Sequence, residues 1–278
     1  MIKLFASDLD GSFLNIDHQM DENQIDCLKR IHENDCLFAI ATGRGQNGVT
    51  RMPELYEAGT YAILLNGAII QDLSHNIIYK KPIDKEFIKH LYHDLSEFPF
   101  EYCTEHLIYT AASKDAWLER RRQNNRGWMT KRKGDFEKFM EAFRFDTPLD
   151  LLLEKSVYKI NLSEPDEDKR RIIHSYLEQH THSVVNAPSN PIYIELTDQS
   201  VNKASGVKML GRLLGIDDNS IAVFGDGGND VVMLEAFHHS YAPADAFKEA
   251  LEAANYTTLS CEEYGVVKKI NEILERAK

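Results

Sequence analysis

Lys3-Leu4-Phe5-Ala6-Ser7-Asp8-Leu9-Asp10-Gly11-Ser12 opens on a short apolar run and closes on two acids and a glycine. Residues 3–9 read as a strand buried on both faces, and helical and apolar stretches alternate after it. A helical pattern covers residues 22–33, and Leu37-Phe38-Ala39-Ile40-Ala41 is a second apolar strand. Residues 46–58 carry a helical pattern despite Pro53, and Tyr61-Ala62-Ile63-Leu64-Leu65 is a third strand. Strands with helical stretches between them specify parallel βαβ units. Asn66-Gly67 marks a turn, and residues 68–70 with 77–79 read as a hairpin. The rhythm returns with helices at 204–214, 230–236, 246–254 and from 262, and strands at 220–224 and 240–242.

Residues 84–190 interrupt this rhythm with helical patterns near 85–97, 114–126 and 166–180 and short strand-like pieces. Pro82, Pro188 and Pro191 flank the interruption, as suits linkers that do not continue a helix. The reading is an α/β protein: a Rossmann-like, doubly wound parallel-sheet core from residues 1–83 and 191–278, with an inserted domain at 84–190. The length of 278 residues is enough for roughly two domains. Hydrophobic residues at 43% and charged residues at 27% exclude disordered and fibrous classes. A formal charge of −12 argues against nucleic acid as a partner, because phosphate contacts by Lys and Arg dominate that affinity. No apolar run nears the roughly 18 residues of a membrane span, and Asp8 comes too early for a signal peptide. Cys27, Cys36, Cys103 and Cys261 lie far apart with no zinc-like spacing. A cytoplasmic enzyme is expected.

Chemistry gathers at the ends of the apolar strands. Asp8 and Asp10, if extended, point the same way at the carboxyl end of the first strand, where open α/β sheets place ligands. Two neighbouring acids repel, so one would hold a proton more tightly or share a cation; an ordinary acidic turn has the same pattern. Ala41-Thr42-Gly43-Arg44 offers a hydroxyl, flexible amides and a guanidinium, which is a phosphate cradle in chemical terms. Gly43 to Gly48 also spells G-x-G-x-x-G, the fingerprint of a dinucleotide site, but Asn66 stands where that site needs an acid. Gly225-Asp226-Gly227-Gly228-Asn229-Asp230 comes after a buried strand and supplies oxygen ligands of the kind Mg²⁺ takes, or else a tight turn into a helix.

In this order, Asp8-Leu9-Asp10-Gly11, Ala41-Thr42-Gly43-Arg44, Lys203 and Gly225 to Asp230 resemble the haloacid dehalogenase superfamily of aspartate-nucleophile phosphatases. Asn66-Gly67-Ala68 and the insertion before Lys203 resemble its Cof-type subfamily, which has a large α/β cap. The sequence departs from the family pattern at Ser12, usually Thr, and at Val201-Asn202-Lys203-Ala204, usually Lys-Gly. The resemblance implies that Asp8 is a nucleophile and that Asp10 protonates the leaving alcohol and then deprotonates water. Thr42 and Lys203 would hold phosphate oxygens, with Gly11, Gly43, Arg44, Asn66 and Asn229 around the substrate. It further implies Mg²⁺ on Asp8, Asp226 and the backbone carbonyl of Asp10, with Asn229 and Asp230 orienting that set and the lysine. Charge counting agrees: a phosphate dianion with Asp8, Asp226 and Asp230 sums to −5 against +1 from Lys203, and a divalent cation brings this to −2.

The expected activity is a Mg²⁺-dependent phosphomonoester hydrolase acting on small organic phosphates, such as sugar or cofactor phosphates, as a monomer or homodimer. A phosphomutase or phosphotransferase would differ only in the acceptor. A non-catalytic phosphometabolite-binding protein and a dinucleotide-binding oxidoreductase are the other readings. Residues 114–133, with eight basic and two acidic side chains, are read either as a solvated helix face or as a polyanion contact. His90 with His93 can share a helix face, and His180 with His182 a strand face, but neither pair has a cysteine or acid at a spacing that demands a metal. Trp117, Trp128, Phe136, Phe139 and Phe143 read as a core of the inserted domain.

Overall fold

The computed structural model describes residues 1–15, 17–124 and 133–276. They form two compact units: residues 1–44, 49–80 and 201–278 in one, residues 45–48 and 81–200 in the other. Along the chain, strands β1 (Leu4–Ser7), β2 (Leu37–Ala41), β3 (Tyr61–Leu64), β4 (Ile69–Gln71) and β5 (Ile77–Lys80) come first. Strands β6 (Glu101–Cys103), β7 (Ile108–Tyr109), β8 (Phe143–Arg144), β9 (Lys159–Ser163), β10 (Val184–Asn186) and β11 (Tyr193–Asp198) come next, then β12 (Ile221–Phe224), β13 (His239–Pro243) and β14 (Tyr256–Thr258). No helix among the described residues is long and apolar enough to cross a membrane.

The first unit is an eight-stranded sheet in the order β14-β13-β12-β1-β2-β3-β4-β5. The six strands from β14 to β3 are parallel, and β4 and β5 add the antiparallel hairpin at one edge. β1 and β12 are buried at every position, as expected of central parallel strands covered on both faces. The chain winds outward from β1 through β2 and β3, and later from β12 through β13 and β14. The winding therefore reverses between β1 and β12, the point at which open α/β sheets form a crevice at their strand ends.

Two capped helices fix flanking elements. The helix Glu22–Glu33 starts on a capping box of Asp21 and Gln24, and the helix Lys203–Leu214 on one of Asn202 and Ser205, with the left-handed Gly215 closing its end. The second box makes Lys203 the first residue of its helix. That helix lies almost in backbone contact with the turn after β3: a Cβ on Gly206 would sit 2.9 Å from the Gly67 Cα.

The structure departs from the sequence reading in several places. Residues 46–58 form two short helices, Gln46–Val49 and Pro53–Glu57, because Pro53 has no N–H and begins a new helix instead of continuing one. β14 was not foreseen; its three residues carry no apolar run, and two of them are exposed. His180 and His182 do not share a strand face. They lie in the turn between the helix Glu167–Glu178 and β10, with the His180 Nδ1 2.8 Å from the Tyr176 carbonyl.

The second unit is a six-stranded sheet in the order β10-β11-β9-β6-β7-β8, antiparallel except for the β7–β8 pair. It runs to Ser200, ten residues past the join read from the sequence, because β11 pairs with both β9 and β10. Tyr102, Ile160, Leu162, Ile194 and Leu196 face an apolar core shared with Phe87, Ile88, Leu91, Ile173 and Leu177 of the helices Lys85–Asp94 and Glu167–Glu178. By strand alternation Glu101, Cys103, Lys159, Glu195 and Thr197 take the opposite face, and all are buried. The Lys159 Nζ lies 2.5 Å from Glu195 Oε2, and the Ser189 hydroxyl donates to Glu195 Oε1 at 2.6 Å.

Where it is described, the basic run is a solvated face only in part, with Lys114 exposed. Arg120 pairs with the buried Glu164, and Arg121 with the buried Glu101 at 3.0 Å. Only Arg122, on Glu119, is mostly exposed among the three arginines. The indole Nε1 of Trp117 also donates to Glu101 at 2.9 Å, while its ring packs on Phe139, Phe143 and Phe145. Residues 125–132, which hold Trp128 and the rest of the basic run up to Arg132, lie outside the described residues.

Breaking the Lys159–Glu195 pair from one side strands a buried charge. Lys159→Ala is expected to cost about 3–5 kcal/mol in urea unfolding of the intact chain, and Lys159→Met combined with Glu195→Gln to recover most of it. A loss below about 1 kcal/mol in the single variant would show the pair to be solvated.

Candidate active site

β1 ends at Ser7, and Asp8 continues in extended conformation with its N–H donating to the Phe224 carbonyl at 2.9 Å. The chain then turns through Leu9–Phe13, where Phe13 N–H returns to the Asp8 carbonyl and Leu14 N–H to that of Leu9. Gly11 makes the turn possible. Its φ is +80°, and a Cβ there would lie 2.3 Å from Asp226 Oδ2. Asp10 is therefore not the next inward position of a strand, as the sequence pattern suggests, but part of the turn, and the two carboxylates take different partners.

Lys203 is the hub of the buried half. Its Nζ donates to Asp8 Oδ1 at 2.6 Å and to Asp230 Oδ1 at 2.6 Å, with the ammonium fully buried. The other Asp230 oxygen accepts the N–H groups of Asp226 at 3.1 Å and Gly227 at 2.9 Å. Asp226 is held in turn by the Ser12 hydroxyl, which donates to its Oδ1 at 2.9 Å. Asp8, Asp226 and Asp230 each bring one carboxylate oxygen into a group whose members lie within 4.8 Å of one another.

Three acids beside one cation leave negative charge uncompensated. Burial pushes the Asp8 pKa well above the usual carboxylate range; Lys203 opposes this, and Asp230, Asp226 and Asp10 add to it. Burial and then Asp230 raise Asp226 to about 7. Burial works to lower the Lys203 pKa, but Asp230 and Asp8 outweigh it and raise it. Hard oxygen ligands, crowded and short of positive charge, fit a divalent cation such as Mg²⁺.

The more open half contains Asp10, Thr42, Gly43 and Arg44. Thr42 is buried at the end of β2, its N–H on the Ile63 carbonyl and its hydroxyl accepting the Arg44 N–H at 3.1 Å. Gly43 lies between them at the turn. Arg44 grips Asp10 with two nitrogens, Nε donating to Oδ2 at 2.7 Å and Nη2 to Oδ1, and the His18 Nδ1 lies 2.9 Å from Oδ1. Burial would raise the Asp10 pKa, but the hydrogen bond from His18 and the Arg44 guanidinium bring it down to about 2. At the end of β3, Leu65 and Asn66 both have left-handed φ, and the Asn66 Oδ1 accepts from the Asn229 amide at 3.1 Å. The Asn229 side chain thus bonds to Asn66, while Asp230 alone of that pair bonds to the lysine. The helix after Gly45 is four residues long, not the long helix that a dinucleotide fingerprint opens.

Sequence reasoning missed His18 altogether and gave Ser12 no role. Nothing in the sequence marks His18, whose place depends on the turn after Asp8.

Residues 5–270 match the model of the haloacid dehalogenase-like hydrolase family. The chain belongs to this family of hydrolases. Among its relatives, a protein of Bacillus subtilis named as the putative phosphatase YxeH is 30% identical over 284 residues, covering 99% of each chain. The 5-amino-6-(5-phospho-D-ribitylamino)uracil phosphatase YwtE of the same organism is 26% identical over 98% of both. A solved haloacid dehalogenase-like hydrolase from B. subtilis superposes with a TM-score of 0.84 at 24% identity, over 98% of this chain and 100% of that one, and bears out the α/β fold.

In the hydrolase the raised Asp226 pKa has a sign that can be measured. An acid whose folded pKa is raised contributes stability below its ordinary pKa and loses it as pH rises through the folded value. With chelator present, Asp226→Asn is therefore expected to have a higher Tm than wild type at about pH 8, with the advantage vanishing by about pH 4. An Asn variant that melts lower than wild type at the higher pH contradicts this electrostatic picture.

Proposed function

We propose that the hydrolase is a Mg²⁺-dependent phosphomonoesterase for small organic phosphates, sugar or cofactor phosphates, working through a phosphorylated Asp8. The observation that carries this reading is the buried Lys203 ammonium shared by Asp8 and Asp230 at the switch point of the sheet. It orients one oxygen of the Asp8 carboxylate at the strand end where an open α/β sheet places its ligand. The name of the YwtE relative, which specifies a phosphorylated ribityl chain, supports a substrate of this class.

Asp8 attacks phosphorus, and the bond from phosphorus to the alcohol oxygen breaks with its electron pair going to that oxygen, which takes a proton from Asp10, whose carboxyl the negative charge of the bound phosphate makes easier to protonate. Asp10 then takes a proton from water as the water oxygen attacks phosphorus and the bond to Asp8 breaks, releasing inorganic phosphate. One hard step becomes two easier ones. Thr42 and Lys203 hold phosphate oxygens, and the amides around Gly11 and Gly43 line the approach. Asp8, Asp226 and the Asp10 carbonyl would hold Mg²⁺, whose chemistry when bound is to neutralise the acids and the phosphate. Asp230 keeps Lys203 and the 226–227 backbone in place.

Four buried, unpaired cysteines suit a reducing compartment and support a cytoplasmic location. The partner is the small-molecule phosphomonoester; neither nucleic acid nor membrane enters the reaction, and a monomer or homodimer suffices.

Inorganic phosphate release from a panel of phosphorylated sugars and cofactors, assayed with Mg²⁺, tests the reading. Asp8→Asn is expected to cut turnover by about three or more orders of magnitude. Chelator is expected to abolish turnover reversibly, and activity that survives either treatment would refute the mechanism.

A further inference from the structure

Asp10 is held in a way its role as acid and base does not by itself require. A carboxylate offers about four lone-pair sites. Three are engaged here: on Oδ1 by Arg44 Nη2 and His18 Nδ1, and on Oδ2 by Arg44 Nε. Both holding residues are themselves anchored. The Arg44 backbone is fixed from two sides, its N–H on the Thr42 hydroxyl and its carbonyl accepting from Leu65 N–H at 3.1 Å. His18 has a left-handed φ of 56°, and its N–H donates to the Asn15 carbonyl at 2.9 Å. The Asn15 side-chain oxygen also accepts the N–H groups of Asp17 and Gln19. A guanidinium that engages both oxygens fixes the plane of a carboxylate as well as its place.

We propose that Arg44 and His18 are positioning residues for Asp10, setting its carboxylate plane so that Oδ2 is the oxygen that gives the leaving group its proton. This rests on the phosphatase reading above and adds to it. Arg44 then acts through Asp10 on leaving-group departure, beyond any contact it makes with the phosphate. The proton passes from Asp10 Oδ2 to the alcohol oxygen as the bond from phosphorus breaks, and Asp8 takes the phosphoryl group.

The leaving group reports this directly. A sugar phosphate expels an alkoxide and needs the proton, whereas p-nitrophenyl phosphate expels a stable phenolate and does not. Arg44→Lys, His18→Gln and Asp10→Asn are to be assayed on both substrates, with kcat and KM separated and thermal melts taken to confirm folding. Each variant is expected to lower kcat/KM, which reports the step in which the leaving group departs, at least about tenfold more for the sugar phosphate than for p-nitrophenyl phosphate. His18→Gln should show the smaller effect, and Arg44→Lys should add little to Asp10→Asn on the sugar phosphate. Equal losses in kcat/KM on the two substrates would make Arg44 a phosphate contact only and overturn the proposal. So would an Asp10→Asn variant without leaving-group dependence. Asp8→Asn measured alongside separates the two levels: if it stays active the phosphatase mechanism itself fails, whereas if it is dead and the Arg44 losses are uniform only the positioning role does.

Discussion

A lysine ammonium with no access to solvent, bonded at 2.6 Å to two carboxylates from distant parts of the chain, is the constraint around which the first unit is organised. A buried charge is tolerated only when it is paired and hydrogen-bonded, and removing one partner typically costs several kcal/mol. Lys203 therefore needs Asp8 and Asp230 together, and they come together only if β1 and β12 are neighbours in register and the Lys203 helix begins at the Asn202 cap. The parallel pairing of Leu4–Ser7 with Ile221–Phe224 meets the first condition, and the capping box meets the second. Local capping chemistry and sheet topology thus converge on a single cation.

The same pairing leaves a charge imbalance. Asp226 comes close to Asp8 and Asp230, but its carboxylate is held by the Ser12 hydroxyl and packs against the Gly11 turn instead of sharing the ammonium. Its raised pKa expresses that imbalance. Stability and chemistry pull in different directions here. A cluster that is costly to hold without a cation is one that a divalent cation and a phosphate dianion can complete.

Much of this was legible in the sequence. Asp8, Lys203, Asp226 and Asp230 stand at the ends of apolar strands or at a helix start, where periodicity locates them, and the motif order pointed to a family that the comparisons bear out. The illegible part depends on geometry beyond the local pattern. Asp10 reads as a strand position because a period of two cannot register the turn that a left-handed Gly11 makes. His18 reaches Asp10 only as a result of that turn. Arg120 and Arg121 look like a solvated run because composition does not reveal Glu164 and Glu101 buried opposite them. The second unit extends to Ser200 because β11 is a pairing partner, and two prolines near its start resemble a linker more than the approach to a strand.

The central claim is that the side chain at position 8 carries the phosphoryl group during turnover. Borohydride reduction of the enzyme quenched during steady-state turnover, with peptide mass spectrometry of the product, measures this directly, because an acyl phosphate is reduced to an alcohol where a free carboxylate is not. The account predicts conversion of Asp8 to homoserine, dependent on substrate and absent at Asp10, Asp226 and Asp230. Active enzyme that shows no reduction at position 8, or shows it at another acid, would contradict it.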